Sequence, residues 1–411
     1  MLFRFCLYGF LKNQLYIEPF LVLAFLDRGV SFTFIGLLIG FRELCVNLLE
    51  IPSGAVADNF GRRGAMAFAF VAYVLSFLVF GLTRQPLWLF PAMFLFSIGE
   101  TFRSGTHKAI IFSWLEHHGR SADKTQIYGY TRSWSKIGSL VSVFIAGGLV
   151  FWQGDYAVVF LACIPPYLLN IINFLTYPPY VEVSRPNRRG IREVAAELGD
   201  TLRSSWQDSS LRSVLLESMT YEGIYKVAKD YIQPLLKILA LSLPIIMFLE
   251  DRQQTAVLVA VVYGALYLLS SFASRHAHLV AERFRSPKHA TRFLWILTCL
   301  CFVLLATGII SGVTTVAVAA FIGLAVFQNF WRPVLVGRCA SLSRSDATAT
   351  VLSIDSQVRA LFTAVFAPFV GWMVDLTSMV NSDLRFLPVA LIGMSVCVLM
   401  LFFERHNLYE R

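Results

Sequence analysis

Long apolar segments of about 18 to 30 residues recur along the whole chain, separated by short breaks that carry Gly, Pro or charged residues. A transmembrane α-helix needs about 20 consecutive, mostly apolar residues. Each segment therefore predicts one membrane-spanning helix. The pattern gives twelve predicted spans, at 5–28, 32–57, 65–83, 87–116, 127–152, 155–177, 213–241, 253–273, 293–310, 314–340, 350–374 and 385–403.

One polar interval, 178–212, is much longer than the other breaks. It opens with two prolines, is rich in Arg, and divides the predicted spans into two sets of six. We therefore predict an all-α membrane protein with twelve transmembrane helices in two six-helix bundles, at 1–177 and 213–411. The interval 178–212 is predicted to be a cytoplasmic linker.

Short matches between the two sets of spans suggest an internal repeat. The tetrapeptide Tyr-Ile-Glu-Pro at 16–19 corresponds to Tyr-Ile-Gln-Pro at 231–234, and residues 56–60 correspond to 280–284. Arg103 and Arg132 likewise correspond to Arg332 and Arg359. The matches occur in the same order, which predicts two pseudo-symmetric halves related by an axis along the membrane normal.

The composition supports a membrane protein and excludes several other classes. The 411 residues are 56% hydrophobic and only 15% charged, whereas soluble proteins contain about 25% charged residues. The seven cysteines all lie in apolar stretches without a CxxC pair, so we expect no disulfide framework, no metal site and no cofactor. The net charge of +9 is spread over many short loops, which argues against nucleic acid as a partner.

The distribution of Lys and Arg predicts the orientation of the chain in the membrane. With a cytoplasmic N terminus, the inner loops and ends hold 20 basic residues, Arg338 among them, and the outer loops hold 4. Both termini are therefore expected in the cytoplasm.

Eleven further basic residues lie inside predicted spans. Each would cost about 2.5–3.5 kcal/mol at the centre of a lipid-facing helix, so most must face a water-filled cavity or a partner. Spans 3, 6, 8, 9 and 12 carry no charge between their ends, whereas the other spans do. The charged spans are thus expected to line a polar interior.

The loop between spans 2 and 3 contains a motif, Gly54-Ala-Val-Ala-Asp58-Asn-Phe-Gly61-Arg62-Arg63. It resembles the loop 2–3 motif of the major facilitator superfamily, G-x-x-x-D-x-x-G-R-R. The six-plus-six division and the repeat also resemble that superfamily, over essentially the whole chain. The resemblance implies a transporter that works by alternating access, and a bacterial inner membrane is the expected location.

The motif is interpreted as part of a conformational gate. Gly54 is expected to allow close helix approach, Gly61 a tight turn, and the resemblance implies that Asp58 engages the N terminus of span 11. Arg62 and Arg63 would keep the loop in the cytoplasm; the alternative is a plain basic turn with a chance Asp. Charged residues near the same predicted membrane face complete the gate: Glu50, Arg132, Lys136, Asp355 and Arg359. Asp355 and Arg359 are four residues apart and are expected to pair.

Four residues are candidates for carrying a proton. Glu18 lies about halfway along span 1, beside the kink expected at Pro19, with no opposite charge three or four residues away. Glu222 and Asp230 lie in span 7 near lysines, and His107 lies in span 4. The alternatives are an interhelical salt bridge for Glu18, to Arg42 or Lys229, and a self-neutralised structural ladder in span 7.

Substrate-binding candidates lie at the polar positions of spans 1, 4, 7 and 10. Arg103 and Arg332 could grip a carboxylate or phosphate through two parallel hydrogen bonds, or Arg103 could instead form a fixed pair with Glu100. The full candidate set is Gln14, Arg103, Tyr225, Lys226, Lys229, Gln328, Trp331 and Arg332.

The sequence therefore predicts a secondary active transporter for a small polar or charged organic solute, with proton coupling. The excess of basic residues favours an anion or zwitterion. The alternatives are a proton-driven multidrug exporter and a non-transporting receptor on the same scaffold. The chain contains no HExxH, GxSxG or GxxxxGK[ST] motif, so an enzyme is not expected, and the expected partners are the solute, protons and the lipid bilayer around a monomer.

Overall fold

The predicted apolar segments form α-helices throughout the described part of the chain. The computed structural model describes residues 1–120, 123–178, 196, 199, 203, 206–284, 286–342 and 348–409, without the side chains of 51, 55, 58–60, 125, 281, 340, 348–349 and 404–409. These residues hold seventeen α-helices and three short 3₁₀ turns, and no strand. The all-α prediction is confirmed.

The chain divides into two compact units. Unit 1 comprises Met1–Arg28 and Phe41–Ala196, and unit 2 comprises Gly29–Gly40 and Glu197–Arg411. The helices before the predicted linker are α1 Leu2–Lys12, α2 Leu21–Leu26, α3 Phe32–Phe60, α4 Arg62–Leu82, α5 Leu89–Arg103, α6 Thr106–His117, α7 Lys124–Gln153, α8 Val158–Ala162 and α9 Ile164–Leu175.

The helices after the linker all belong to unit 2. They are α10 Ser209–Ala228, α11 Ile232–Ser242, α12 Asp251–Arg275, α13 Ala277–Arg283, α14 Pro287–Ile310, α15 Thr314–Leu342, α16 Thr348–Val380 and α17 Leu387–Tyr409. The 3₁₀ turns are Pro86–Trp88, Lys229–Tyr231 and Pro244–Ile246.

Eight helical stretches among the described residues are long and apolar enough to cross a membrane. They coincide with predicted spans 2, 3, 5, 6, 8, 9, 10 and 11. Predicted spans 1, 4 and 7 are each divided into two helices, and the apolar part of α17, Leu387–Phe403, is shorter. The total of twelve spans remains a prediction.

Span 1 is broken over a longer stretch than the kink expected at Pro19. Helix α1 ends at Lys12, and α2 begins only at Leu21. Side chains replace the lost helical hydrogen bonds: Asn13 Nδ2 donates to the Gly9 carbonyl (2.6 Å), and the Tyr167 hydroxyl donates to the Lys12 carbonyl (2.9 Å). Such replacement is needed where the bilayer supplies no water.

In unit 1, α4 packs against α5 and α9, and α1 packs against α7 and α9. Interlocked rings fill the space between α4 and α9, with Phe70, Tyr73 and Phe77 against Tyr167. This core holds α1 and α7 beside the junction between α5 and α6, where the cavity described below lies.

Helices α1 and α7 approach closely at a glycine. A Cβ built on Gly138 would lie 2.6 Å from the Phe10 carbonyl oxygen and 3.1 Å from Phe10 Cα, whereas one on Gly129 of the same helix would meet nothing within 4 Å. We therefore expect Gly138→Ala to destabilise the protein by about 1–3 kcal/mol through overpacking, read as a lower apparent melting temperature in detergent. Gly129→Ala is the control and is expected to be neutral or slightly stabilising; equal melting of both variants would contradict the contact.

In unit 2, α14 packs against α15 and α17, and α10 packs against α15 and α16. The start of α3 lies against α16, where Gly36, Gly40 and Gly371 leave no room for a Cβ beside the opposing backbone. Asp375 of α16 accepts hydrogen bonds from the Thr33 amide (2.7 Å) and hydroxyl (2.6 Å). It thereby satisfies amides in the first turn of α3 that have no helical acceptor.

Candidate functional site

A cavity of about 300 Å³ lies in unit 1. It is formed by α1, the junction between α5 and α6, and α7. Its lining residues are Phe5, Tyr8, Gly9, Lys12, Asn13, Arg103, Gly105, His107, Lys108, Tyr128, Thr131, Arg132, Ser135, Lys136 and Ser139. The volume is at the lower end of the range of small-molecule pockets.

The lining is strongly basic. Lys12, Arg103, Lys108, Arg132 and Lys136 bring five positive charges into it, and no Asp or Glu is among the described lining residues. From the sequence, Arg103 was expected to bind substrate and Arg132 to gate; the structure brings both to one cavity. Lys12 and Lys108 were recognised only as cations within spans and Lys136 as a gate charge, because the sequence does not show that the three converge.

Carboxylates behind the lining offset part of this charge. Arg103 forms an ion pair with Glu100, and Arg103 Nε donates to the Tyr73 hydroxyl (3.3 Å), which donates to Glu100 (2.7 Å). The Arg103–Glu100 pair considered from the sequence is therefore present. The pair does not remove Arg103 from the cavity, because Arg103 is still among its lining residues.

Glu18 is half-buried in the break between α1 and α2. It interacts electrostatically with Lys12 and with Lys136, both of which line the cavity. The sequence showed no cation three or four residues from Glu18; the break brings it to Lys12 on its own predicted span and to Lys136 on α7.

Predicted span 4 is interrupted inside the cavity. Helix α5 ends at Arg103, and Gly105, with φ +75°, precedes the first residue of α6. One continuous helix would place Glu100, Arg103, Ser104 and His107 on one face, and the break between α5 and α6 prevents that arrangement. The N-cap residue of α6, Gly105, therefore lines the cavity.

His107 is buried, with 9% of its surface exposed, and lines the cavity. Its ring lies 3.8 Å from the Tyr8 ring and makes an edge contact with Phe5 at 5.8 Å. Its Nε2 atom is buried without a hydrogen-bond partner among the described residues. Gln14, by contrast, is used structurally: its amide donates to the Gly138 carbonyl (3.1 Å) and fastens the end of α1 to α7.

A polar cluster in unit 2 unites residues that the sequence assigned to three different roles. Asp355 of α16 is fully buried and contacts Arg332 (3.0 Å), Arg359 (3.1 Å) and the Ser218 hydroxyl. The predicted Asp355–Arg359 pair is present.

Glu222 of α10 joins the same cluster. It accepts hydrogen bonds from Gln328 Nε2 at 3.2 and 3.3 Å and lies 3.9 Å from Arg359. Two arginines and two carboxylates make the cluster electrically neutral. Arg332 is therefore held by Asp355 in this structure, unlike the open anion grip expected for it.

The helical ladder expected in span 7 is interrupted. Residues Lys229–Tyr231 form a 3₁₀ turn, which advances about 120° per residue rather than 100°. Lys229 and Asp230 therefore do not continue the face of Glu222, and Asp230 contacts Lys229 at 3.3 Å. Tyr225 and Lys226 are half-buried on α10.

The structure places Trp331 in a buried aromatic cluster. It is fully buried in unit 2, stacked on Tyr221 with ring centroids 3.9 Å apart, and it makes an edge contact with Trp295 at 5.6 Å. In this structure the neighbouring rings cover the indole, and the expected contact with substrate stays a prediction.

The loop 2–3 motif forms the expected turn. Gly61 has φ +95° and begins α4. Arg62 donates to the Ser113 hydroxyl (2.8 Å), and Arg63 donates to the Tyr177 carbonyl (2.8 Å) at the end of α9. The arginines therefore tie the start of α4 to α6 and to the segment just after α9.

Three further positions of the predicted gate are Gly54, Asp58 and Glu50. A Cβ on Gly54 would meet nothing within 4 Å, so close helix approach there is wrong. The side chain of Asp58 lies outside the described residues. Glu50 is half-buried, and its carbonyl accepts a hydrogen bond from Ser53.

The sequence analysis missed a buried ion pair. Arg338, counted among the loop cations, lies within α15 with 5% of its surface exposed, and it pairs with Glu217 of α10. Arg338 also donates to the Thr291 hydroxyl (2.8 Å) on α14. A carboxylate inside span 7 and an arginine inside span 10 were the available signal.

A family model described as Major Facilitator Superfamily matches residues 4–360. No curated protein sequence matched the chain.

Several solved structures share the fold. The nucleoside transporter NupG has a TM-score of 0.75 at 13% identity, covering 98% of this chain and 96% of that one. A bacterial homologue of the human lysosomal transporter Spinster, inward-facing and occupied, has a TM-score of 0.73 at 14% identity, covering 98% and 96%. A D-xylose–proton symporter has a TM-score of 0.67 at 12% identity, covering 97% and 95%.

Proposed function

Because the chain belongs to the Major Facilitator Superfamily, and is therefore a membrane transporter rather than an enzyme, we propose that it transports a small organic anion by secondary active transport. One observation carries the choice of an anion. The cavity in unit 1 holds five cationic side chains and no carboxylate among its described lining residues. A polar cavity lined by one sign of charge concentrates solutes of the opposite sign.

Proton coupling and alternating access complete the proposal. Glu18 is the leading candidate for the proton, because it interacts with two lysines of the cavity and its charge state alters the attraction for an anion. Glu222, Asp230 and His107 are the remaining candidates. Transport would be by symport or antiport, and the comparison with a D-xylose–proton symporter supports the fold alone.

Removing two of the positive charges that line the cavity tests whether the substrate is an anion. In an Arg132→Gln/Lys136→Gln double variant, we expect the affinity for an anionic solute to fall roughly tenfold to a hundredfold, since a lost charge-assisted hydrogen bond costs about 1.5–3 kcal/mol. The measurement is a ligand panel scored by thermal shift on purified protein, followed by flux into liposomes with and without a pH gradient.

The matched control is Arg120→Gln/Lys124→Gln, which removes two cations with the same spacing from surface pairs with Asp123 and Glu116. It is expected to bind like the wild type. Stabilisation by apolar cations instead of anions would favour a proton-driven multidrug exporter, and binding without flux would favour a receptor.

We assign the loop 2–3 motif to the switch between access states. Asp58→Asn is expected to leave expression and melting temperature intact while strongly reducing flux in liposomes, because the carboxylate is proposed to latch only one state. Asp123→Asn, in an exposed surface pair, is the control. Wild-type flux from well-folded Asp58→Asn protein would remove the assignment.

The proposed location is a bacterial inner membrane with both termini in the cytoplasm. The excess of Lys and Arg in the predicted inner loops supports this orientation. A C-terminal fusion to a reporter that is active only outside the cytoplasm should be inactive, and activity would reverse the orientation.

A further inference from the structure

The break in predicted span 4 creates a helix N terminus at the wall of the cavity. Helix α6 is twelve residues long, its N-cap residue is Gly105, and no side chain caps it. The first amide to find an acceptor in the new helix is that of Ala109, which bonds to the Gly105 carbonyl at 3.1 Å. The amides of Thr106, His107 and Lys108 have no acceptor in that turn.

The first turn of α6 also holds a buried polar atom without a hydrogen-bond partner. His107, in the first turn of α6, lines the cavity and is 9% exposed, yet its Nε2 atom is buried without a partner among the described residues. Buried polar atoms are hydrogen-bonded in most structures. His107 Nε2 therefore has unused hydrogen-bonding capacity beside the cavity, and it would meet an occupant only if the imidazole turns, because the atom itself has almost no accessible surface.

The charge of the cavity indicates more than one negative charge on its occupant. Lys108 rests on the rings of Phe112 and Tyr128, at 5.5 and 5.6 Å, which directs an exposed cation along the wall. Even when Glu100 is counted against Arg103 and Glu18 against the two lysines it influences, the five positive and two negative charges leave a net charge of +3. A single carboxylate group would leave most of this charge uncompensated.

A phosphoryl group fits these features better than a carboxylate. It carries close to two negative charges at neutral pH and presents three strong acceptor oxygens. Helix N termini bind such groups through free amides and the helix dipole, and lysine and arginine both pair with them. The cavity is large enough to hold an organic group as well, beside the aromatic wall of Phe5, Tyr8 and Tyr128.

We propose that the cavity binds the phosphoryl group of a small organic phosphate, with the oxyanion facing the N terminus of α6 and the surrounding lysines. The inference rests on the proposed function, since it specifies which anion the transporter carries. The Ser104–Gly105 break is then a recognition element: it turns a span interior into a set of free amides.

A charge placed at the helix N terminus tests this directly. A Cβ on Gly105 would meet nothing within 4 Å, and Asp and Asn are tolerated at positive φ better than most residues. In Gly105→Asp the new carboxylate competes for the amides and lysines, so affinity for glycerol phosphate should fall at least thirtyfold. In Gly105→Asn, which adds the same bulk without charge, the loss should stay below about fivefold.

The matched control is Gly119→Asp. Gly119 also has positive φ (+64°) and open space at its Cβ, but it follows the opposite end of α6 and does not line the cavity. It adds the same charge and strain elsewhere and should bind like the wild type. Size-exclusion profiles and melting temperatures of all three variants report whether each is folded.

Binding is measured by calorimetry on the purified full chain with four probes: glycerol phosphate, glycerate, glycerol and inorganic phosphate. The expected order is glycerol phosphate first, glycerate at least tenfold weaker, and no binding of glycerol. Inorganic phosphate binding more tightly than the ester would assign the site to the free ion and overturn the organic ligand.

If glycerate binds and is transported while glycerol phosphate does neither, the phosphate inference fails and the anion transporter stands. If no anion binds the wild type, both fail. Equal binding of glycerol phosphate to Gly105→Asp and Gly105→Asn would remove the N terminus of α6 from the site.

Discussion

Replacing Arg338 by Met is expected to lower the free energy of unfolding by about 3–5 kcal/mol, because it strands the Glu217 carboxylate in the interior of unit 2 without its cation. Both side chains of the pair are at most 5% exposed. The Thr291 hydroxyl also loses the hydrogen bond that Arg338 donates to it. The measurement is the apparent melting temperature in detergent, which should fall by several degrees.

Two controls distinguish the effect of leaving a buried charge unpaired from the effect of losing any arginine. The double variant Arg338→Met/Glu217→Gln removes both charges and should recover a large part of the loss, since apolar replacement of a buried pair is often close to neutral. Arg120→Met breaks an exposed pair with Asp123 and should cost less than about 1 kcal/mol. If Arg338→Met melts like Arg120→Met, the pair is not buried in the folded protein.

The long apolar period made the helices predictable, because a bilayer demands a run of apolar residues at nearly every span. The breaks within the helices were less predictable from the sequence. Pro19 indicated a kink, yet α1 ends seven residues earlier at Lys12. Asn13 and Tyr167 supply the hydrogen bonds that make this longer break possible, and the contact with Tyr167 joins residues far apart in sequence.

The partners of charged residues were predictable only where they lie on one helix. Asp355 and Arg359 are four residues apart on α16, and their pair was expected and found. Arg332 had no local carboxylate, which suggested an open ligand site, but the fold brings Asp355 to it across two helices. The sequence shows which spans carry charge, whereas tertiary packing decides which charges meet.

The cavity in unit 1 also depends on tertiary packing that the sequence does not show. Lys12, Lys108 and Lys136 come from three different predicted spans, and nothing in their spacing indicates convergence. Their common feature, a cation inside an apolar span, was the usable signal. It predicted a wet interior, and the structure adds that unit 1 collects five of these cations around one cavity.

Glu18→Gln is expected to abolish accumulation of an anionic solute driven by a proton gradient while preserving exchange at equal pH. Because Glu18 interacts with Lys12 and Lys136, its protonation leaves the cavity one charge more positive and strengthens binding of an anion. By linkage, a bound anion favours the protonated form to the same degree. Glutamine fixes the neutral state, so the anion still binds but no proton moves with it.

The experiment compares uptake into liposomes with an imposed pH gradient against counterflow without one. Glu116→Gln is the control, since Glu116 is an exposed carboxylate of the same unit, paired with Lys124, and should retain both activities. The affinity of Glu18→Gln for the anion should equal or exceed that of the wild type. The part of its pH dependence that comes from Glu18 should be lost. If Glu18→Gln still accumulates solute, while Glu222→Gln or Asp230→Asn does not, the proton is carried by α10 or the turn that follows it, and the cavity of unit 1 serves recognition alone.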